Sequence, residues 1–371
     1  MTREQENHDP LPEGRHRFFH ATRNRRRDDA RLEKPTFVEA SMRLLKAGTI
    51  RLVPLLAGSV GALLLVIGLP TLATAKVAGA NGRIAFARDD GSGNTSLYTA
   101  NPDGSHLQAL LPGIAADAPH WSPDGSLLSA AACLDEPICD TAAAIVNPDT
   151  GTVGGITQPD PNLSVFCIVW APSGDRLACE GQGNSDSTLN GIYSIRVSDG
   201  GGLTRITSIP GGDDIPIDYS PSGAQLVFAR TDPSGPPHQN CALFVVTLSS
   251  GAVQRITSWG FCDDDGSWSP DGSKILFEHL GSLYTVRPDG SHLIKIPLRT
   301  GRDTTSFTAF DAGWSPDGTK IIFAIRTRTS SGQSQEGIGT ANADGSNVQT
   351  VTTSPTRDAK PDWGPHALET N

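Results

Sequence analysis

The side chains best placed to do chemistry in this 371-residue chain are aspartates gathered just ahead of a recurring aromatic residue. Asp117 precedes Trp121, Asp213 and Asp214 precede Tyr219, and Asp263, Asp264 and Asp265 precede Trp268. Asp303 and Asp311 precede Trp314, and Asp358 precedes Trp363. Carboxylates brought together from separate loops suit a hard cation such as Ca²⁺, which takes oxygen ligands, or a basic peptide. A plainer reading competes: aspartate is enriched in turns because it bonds its own downstream backbone, and charges at strand ends discourage adhesion between chains. The plainer reading carries more weight, and "CDDDG" at 262–266 is the densest cluster. The histidines add little. His106 and His292 share one phrase, "DGSHL", while His120, His238 and His279 stand at unmatched positions, and no H-E-x-x-H or C-x-x-C spacing occurs. A lyase or hydrolase needs a positioned acid and base; no such pair stands out, and no catalytic residue is assigned.

The aromatic residues that follow these acids set the frame. "WSPDG" stands at 121–125, 268–272 and 314–318, with weaker copies "WAPSG" at 170, "YSPSG" at 219 and "WGPH" at 363. The intervals between the aromatics are 49, 49, 49, 46 and 49 residues. A second phrase keeps step, from "NPDGS" at 101 and "NPDTG" at 147 to "RPDGS" at 287 and "NADGS" at 342. Each period holds β-rich runs such as "AQLVFAR", "LFVVTLSS" and "VQRITS". Four short antiparallel strands per period of 40–50 residues is the signature of a propeller blade. In "WSPDG" proline presets the first central turn position, Asp bonds the backbone and Gly takes positive φ. The phrase is therefore expected to be a hairpin turn between strands one and two, with its aromatic packed between blades.

The ends of the repeat complement each other. The chain enters with a second-strand sequence, "GRIAFAR" at 82–88, and leaves with an orphan first strand, "AKPDWGP" at 359–365. The last strand is expected to insert into the first blade and close a ring of six, which removes exposed sheet edges. The expected fold is all-β: a six-bladed β-propeller over residues 82–366.

Ahead of it, Leu52 to Ala75 contains no charged residue, and Arg43, Lys46 and Arg51 flank it. That reads as a signal peptide or signal anchor at 49–75 with its basic side in the cytoplasm; "ATA" at 73–75 and "AGA" at 78–80 offer cleavage patterns. Residues 1–48 read as a cytoplasmic extension or a mis-assigned start, Met42 being the only other methionine. The propeller is thus expected outside the cytoplasm: periplasmic, extracellular or membrane-anchored. Residues 1–51 hold 12 Lys/Arg against 8 Asp/Glu, so the overall charge of −10 leaves −14 on the rest. Such an acidic body repels a phosphate backbone and argues against nucleic acid. Six cysteines between 133 and 262 suit an oxidising compartment. On the blade map they pair locally as Cys133–Cys139, Cys167–Cys179 and Cys241–Cys262.

The segments "PHWSPDGSLLSAA", "GSWSPDGSKILFE" and "AGWSPDGTKIIFA" resemble the repeats of TolB-type β-propellers, with related blades in prolyl-oligopeptidase propellers and some oligosaccharide lyases. The resemblance spans about 82–365 and implies a periplasmic propeller. TolB carries an α/β domain ahead of its propeller, and there is no room for one between the export segment and residue 82. No G-x-S-x-G elbow occurs in the exported part. The expectation is a stand-alone, monomeric propeller acting as a non-enzymatic binding module for a protein, peptide or cell-wall partner of the envelope, with no cofactor unless Ca²⁺ is held. The alternative is a metal-assisted extracellular lyase or hydrolase with its site at the channel mouth.

Overall fold

The computed structural model describes residues 79–89, 91, 94–134, 139–235, 240–260, 265–299, 307–328 and 334–370. The extension at 1–48 and the apolar segment at 49–75 lie outside the described residues. Among the described residues no helix is long and apolar enough to cross a membrane.

Among the described residues, twenty-four strands form six four-stranded antiparallel sheets. Blade 1 runs in the order Arg357–Trp363, Ile84–Asp89, Thr95–Ala100, Gln108–Ala109. Blade 2 is Ala116–Trp121, Leu128–Ala132, Thr141–Val146 and Val153–Thr157. Blade 3 is Leu163–Trp170, Arg176–Gly183, Gly191–Arg196 and Thr204–Arg205. Blade 4 is Asp213–Tyr219, Gln225–Thr231, Cys241–Thr247 and Ala252–Arg255. Blade 5 is Gly266–Trp268, Ile275–His279, Ser282–Val286 and Ile294–Lys295. Blade 6 is Phe307–Trp314, Lys320–Arg328, Ser334–Asn342 and Gln349–Thr350.

The burial of each strand follows from its place in the blade. Second strands are covered on both faces by neighbouring blades, so they read as continuous apolar runs, such as Ile84, Ala85, Phe86 and Ala87, all buried. Fourth strands lie outermost and are short and exposed, as in Thr204–Arg205 and Gln349–Thr350; short polar edges do not recruit other chains. The core is six separate clusters, one at each interface between blades. Every repeat aromatic sits in one of them: Trp121, Trp170, Tyr219, Trp268, Trp314 and Trp363 are all at most 7% exposed.

The ring closes as the orphan strand requires. Trp363 pairs with Ile84, Asp362 with Ala85 and Asp358 with Arg88. First strands touch first strands all the way round, from blade 1 to blade 2 and from blade 6 back to blade 1. The chain past the last strand adds a latch: Gly82 N–H donates to Gly364 O (3.0 Å), Arg83 N–H to His366 O (2.9 Å), and the His366 ring stacks on Trp121 at 4.9 Å.

"WSPDG" forms the expected hairpin turn between strands one and two. Ser122 Oγ donates to Asp124 Oδ1 (2.7 Å), which also accepts from Ser126 N–H (3.0 Å), while Gly125 stands at φ +72°. Ser269 with Asp271 and Ser315 with Asp317 repeat the arrangement. These turns also meet one another. A Cβ on Gly318 would stand 3.4 Å from Pro270, and one on Gly223 would stand 3.3 Å from Pro172, so each turn's proline lies against the next turn's glycine. Two disulfides stand where the blade map put them: Cys133–Cys139 brackets a loop, and Cys167–Cys179 joins directly opposed strands. Cys241 is also disulfide-bonded; Cys262, its expected partner, lies outside the described residues.

Candidate functional site

The face opposite the turns carries the loops between strands four and one, and Asp117, Asp213, Asp214, Asp265, Asp311 and Asp358 stand in or just ahead of the first strands that follow those loops. The structure gives them three different settings. Two are consumed inside blades. Asp214 and Asp358 each lie five residues before their aromatic and are at most 1% exposed. Arg88 donates to both Asp358 oxygens at 2.6 and 2.8 Å, and Arg230 to both Asp214 oxygens at 2.6 and 2.7 Å. Thr352 Oγ1 donates to Asp358 at 2.6 Å and Thr207 Oγ1 to Asp214 at 2.5 Å. Each threonine accepts in turn a main-chain N–H from the third strand, Ile338 or Ile192. Arg88 lies over Phe86 and Tyr98, and Arg230 over Phe228 and Phe244. Buried bidentate pairs of this kind are strong and geometrically specific. They fasten the first strand to the second within one blade and, through the threonine, to the third strand of the preceding blade.

Asp117 and Asp213 remain at the rim, both half-buried. Asp117 Oδ1 accepts the N–H of Ala118 at 2.8 Å. Burial pushes the Asp213 carboxyl up, and the neighbouring Asp214 carboxylate adds to the effect. Asp263, Asp264 and Asp303 lie outside the described residues, as does His238. His279 meets Tyr284 edge-on at 6.3 Å, and burial lowers its ring below the usual histidine range.

The third setting brings residues together. Asp265, Asp311 and Lys360 each stand three residues before their aromatic, in the successive blades 5, 6 and 1. Lys360 Nζ donates to Asp265 Oδ1 and Oδ2 at 2.7 and 2.8 Å and stands 3.7 Å from Asp311 Oδ1. The main-chain N–H of Lys360 donates to Asp311 Oδ2 at 2.9 Å. Blades 5 and 1 are not neighbours, so a side chain joining them reaches past the first strand of blade 6, which lies between them.

The local device is a β-bulge. The register of the first strand jumps between Asp117 and His120, between Phe310 and Gly313, and opposite Ala85 and Ala87. The residue three before the aromatic takes a left-handed backbone in each: Ala118 at φ +49°, Asp311 at +52° and Lys360 at +52°. Bulges re-aim side chains near sites, and left-handed non-glycine residues persist only where their surroundings hold them. Burial works against a charged Asp311. The Lys360 ammonium, the bond with Asp265 and the Lys360 N–H outweigh it and hold this carboxyl below the usual range. Beside the cluster, Arg326 and Arg357 flank the Phe310 ring at 5.5 and 5.9 Å and share Glu336.

Among the described residues no group of three or more His, Cys, Asp or Glu is arranged to hold a metal. Lys360 is a base among the acids that the sequence marks out. Its signal is present in the sequence: a lysine stands at the repeat position where the two preceding units carry Asp265 and Asp311. Aspartate pairs elsewhere serve the ring itself. Asp362 Oδ2 accepts the Trp121 N–H at 2.8 Å and Asp218 Oδ2 the Trp268 N–H at 2.9 Å, each binding one blade to the next.

The fold has known counterparts. A TolB from Acinetobacter baumannii superposes with a TM-score of 0.57 at 19% identity, covering 78% of this chain and 67% of that one. A putative TolB from Agrobacterium tumefaciens gives 0.52 at 18% identity, covering 74% of this chain and 90% of that one. An oligogalacturonate lyase in complex with manganese reaches only 0.44 at 15% identity over 75% of each chain, too distant to bear on activity. At these identities the likeness is one of fold. No curated protein sequence matches significantly. The family model described as the TolB beta propeller domain matches residues 161–366, more than half of the 371-residue chain. The chain belongs to the TolB β-propeller domain family.

Proposed function

We propose that this protein is a non-enzymatic binding module of the cell envelope, exported by its apolar segment at 49–75, and that it engages a protein, peptide or cell-wall ligand at the channel mouth. The observation that carries this reading is the convergence of Asp265, Asp311 and Lys360 from three consecutive blades. Bulges with left-handed backbone place two of them, Asp311 and Lys360. Membership of a family built on a propeller, a fold that presents loops around one axis, supports it. Asp117 and Asp213 belong to the same rim and complete the proposed surface. Asp214 and Asp358 support that surface from within the blades.

The path of the chain fits this orientation. Asn81 Oδ1 accepts the N–H of Asp317 in a "WSPDG" turn, and Glu369 pairs with Asn101 beside another turn. Both ends therefore leave from the turn face. If the apolar segment at 49–75 stays uncleaved in the membrane, we infer that the turn face is the one toward it.

The test is capture of defined envelope components, peptidoglycan fragments and purified envelope proteins, by the immobilised chain and two variants. D265A/K360A is expected to lose the captured ligand, and the turn-face variant D271A to retain it. Loss with D271A and retention with D265A/K360A would refute the assignment of the mouth.

A further inference from the structure

The six positions three residues before the aromatics are Ala118, Cys167, Pro216, Asp265, Asp311 and Lys360. Only the last three carry charge, and they occupy consecutive blades around the axis. The surroundings of the Lys360 ammonium are those a hard cation would choose. Both Asp265 oxygens lie at 2.7 and 2.8 Å, and Asp311 Oδ1 lies on a second side at 3.7 Å. Two carboxylates, Asp311 on the first strand of blade 6 and Asp265 immediately ahead of that of blade 5, the former 7% exposed, offer oxygen donors to a divalent ion. The ammonium is a compact, strongly hydrated point charge on a flexible stem, and it satisfies such a set without a metal. The lysine is also held there by its own backbone. Its N–H donates to Asp311 Oδ2, and its left-handed conformation at φ +52° fixes the direction in which its side chain leaves the strand.

We propose that Lys360 is a tethered stand-in for a divalent cation. It neutralises the carboxylates of Asp265 and Asp311, makes the mouth independent of metal, and closes to Ca²⁺ a site that its removal would uncover. The reason is electrostatic. With the ammonium present the cluster carries a net charge of −1, and a divalent ion entering it would meet a positive charge already seated on the ligand oxygens. With a neutral side chain the two carboxylates sum to −2 with only the more distant Arg357 acting on Asp311, and carboxylates at such close range favour a cation or a proton. This inference concerns the charge chemistry of the mouth and holds whichever partner the mouth takes.

Calcium chloride alone is the probe, and thermal unfolding of the purified chain is the readout. The wild type is expected to show the same melting temperature with EDTA and with millimolar Ca²⁺. K360Q is expected to melt lower in EDTA and to rise by several degrees in Ca²⁺, since a ligand that binds only the folded state stabilises it. D311N/K360Q, which removes a donor and a charge, is expected to lose that rise. Should K360Q fold poorly, its refolding yield with and without Ca²⁺ is compared, and recovery only with Ca²⁺ supports the proposal. A wild-type shift as large as that of K360Q, or a K360Q variant that neither shifts nor refolds better in Ca²⁺, overturns it. Failure here would leave ligand capture by the wild type untouched, so the two readings fail separately.

Discussion

Replacing Asp358 with alanine removes the acceptor of a buried ion pair and leaves its partner in place. Asp358 has no exposed side-chain surface, and Arg88 retains 20% of its own. The substitution deletes two charge-assisted bonds at 2.6 and 2.8 Å and strands the Thr352 hydroxyl, which donates at 2.6 Å. Breaking a buried pair by removing one partner costs about 3–5 kcal/mol, mostly from the uncompensated charge left behind. The same rule holds that replacing both partners with well-packed apolar residues is close to neutral. The propeller contains its own control for that statement. In blade 6 the equivalent registered pair is Ala309 opposite Ile325, both buried, and the blade is intact. D358A should therefore lose about 3–5 kcal/mol in equilibrium urea unfolding, and R88I/D358A should recover most of it. A loss under about 1 kcal/mol for D358A, or a double variant as unstable as the single one, would refute the reasoning that this pair is a fastener whose cost lies in desolvation.

Three further outcomes follow from the same structure. Trp363→Ala empties the interface between blades 6 and 1, where Trp363 packs with Ile84, Phe86 and Ile322; it should cost about 3–5 kcal/mol and, by loosening the closing strand, give oligomers in size-exclusion chromatography. Asp311 has a depressed carboxyl in the folded state, so its contribution is present above the unfolded carboxylate range and lost as pH falls through the folded value. Melting temperature should fall on acidification below roughly pH 4, and less steeply in D311N. Asp213 is raised by burial and by Asp214, so ionising it works against folding once pH exceeds the unfolded value; D213N should melt at a slightly higher temperature than wild type at neutral pH and at the same temperature in acid.

What the sequence disclosed was periodic, and what it withheld was register. The spacing of Trp121, Trp170, Tyr219, Trp268, Trp314 and Trp363 sufficed to count blades, to place the hairpins and to see that 357–363 must join 84–89. Local disulfides followed from the same map, as Cys167 and Cys179 lie symmetrically about a turn. The roles of the aspartates did not follow. Asp214 and Asp358 look like the other loop acids in sequence, but both occur only where the second strand ends in "FAR". Pairing Asp358 with Arg88 requires the closed ring, because 270 residues separate them. The bulges that turn Asp311 and Lys360 inward depend on left-handed backbone at non-glycine residues, which carries no compositional mark. Lys360 is a base, and only the closed ring brings it between the two acids it holds together.

The central claim is that the mouth, and not the turn face, is where this propeller meets its ligand. Hydrogen–deuterium exchange of the chain with and without a captured envelope ligand tests it most directly. Slowed exchange is expected along 265–267, 307–313 and 357–362, with the turns at 121–125, 268–272 and 314–318 unchanged. Protection confined to those turns, with the first-strand bulges exchanging as before, would contradict it.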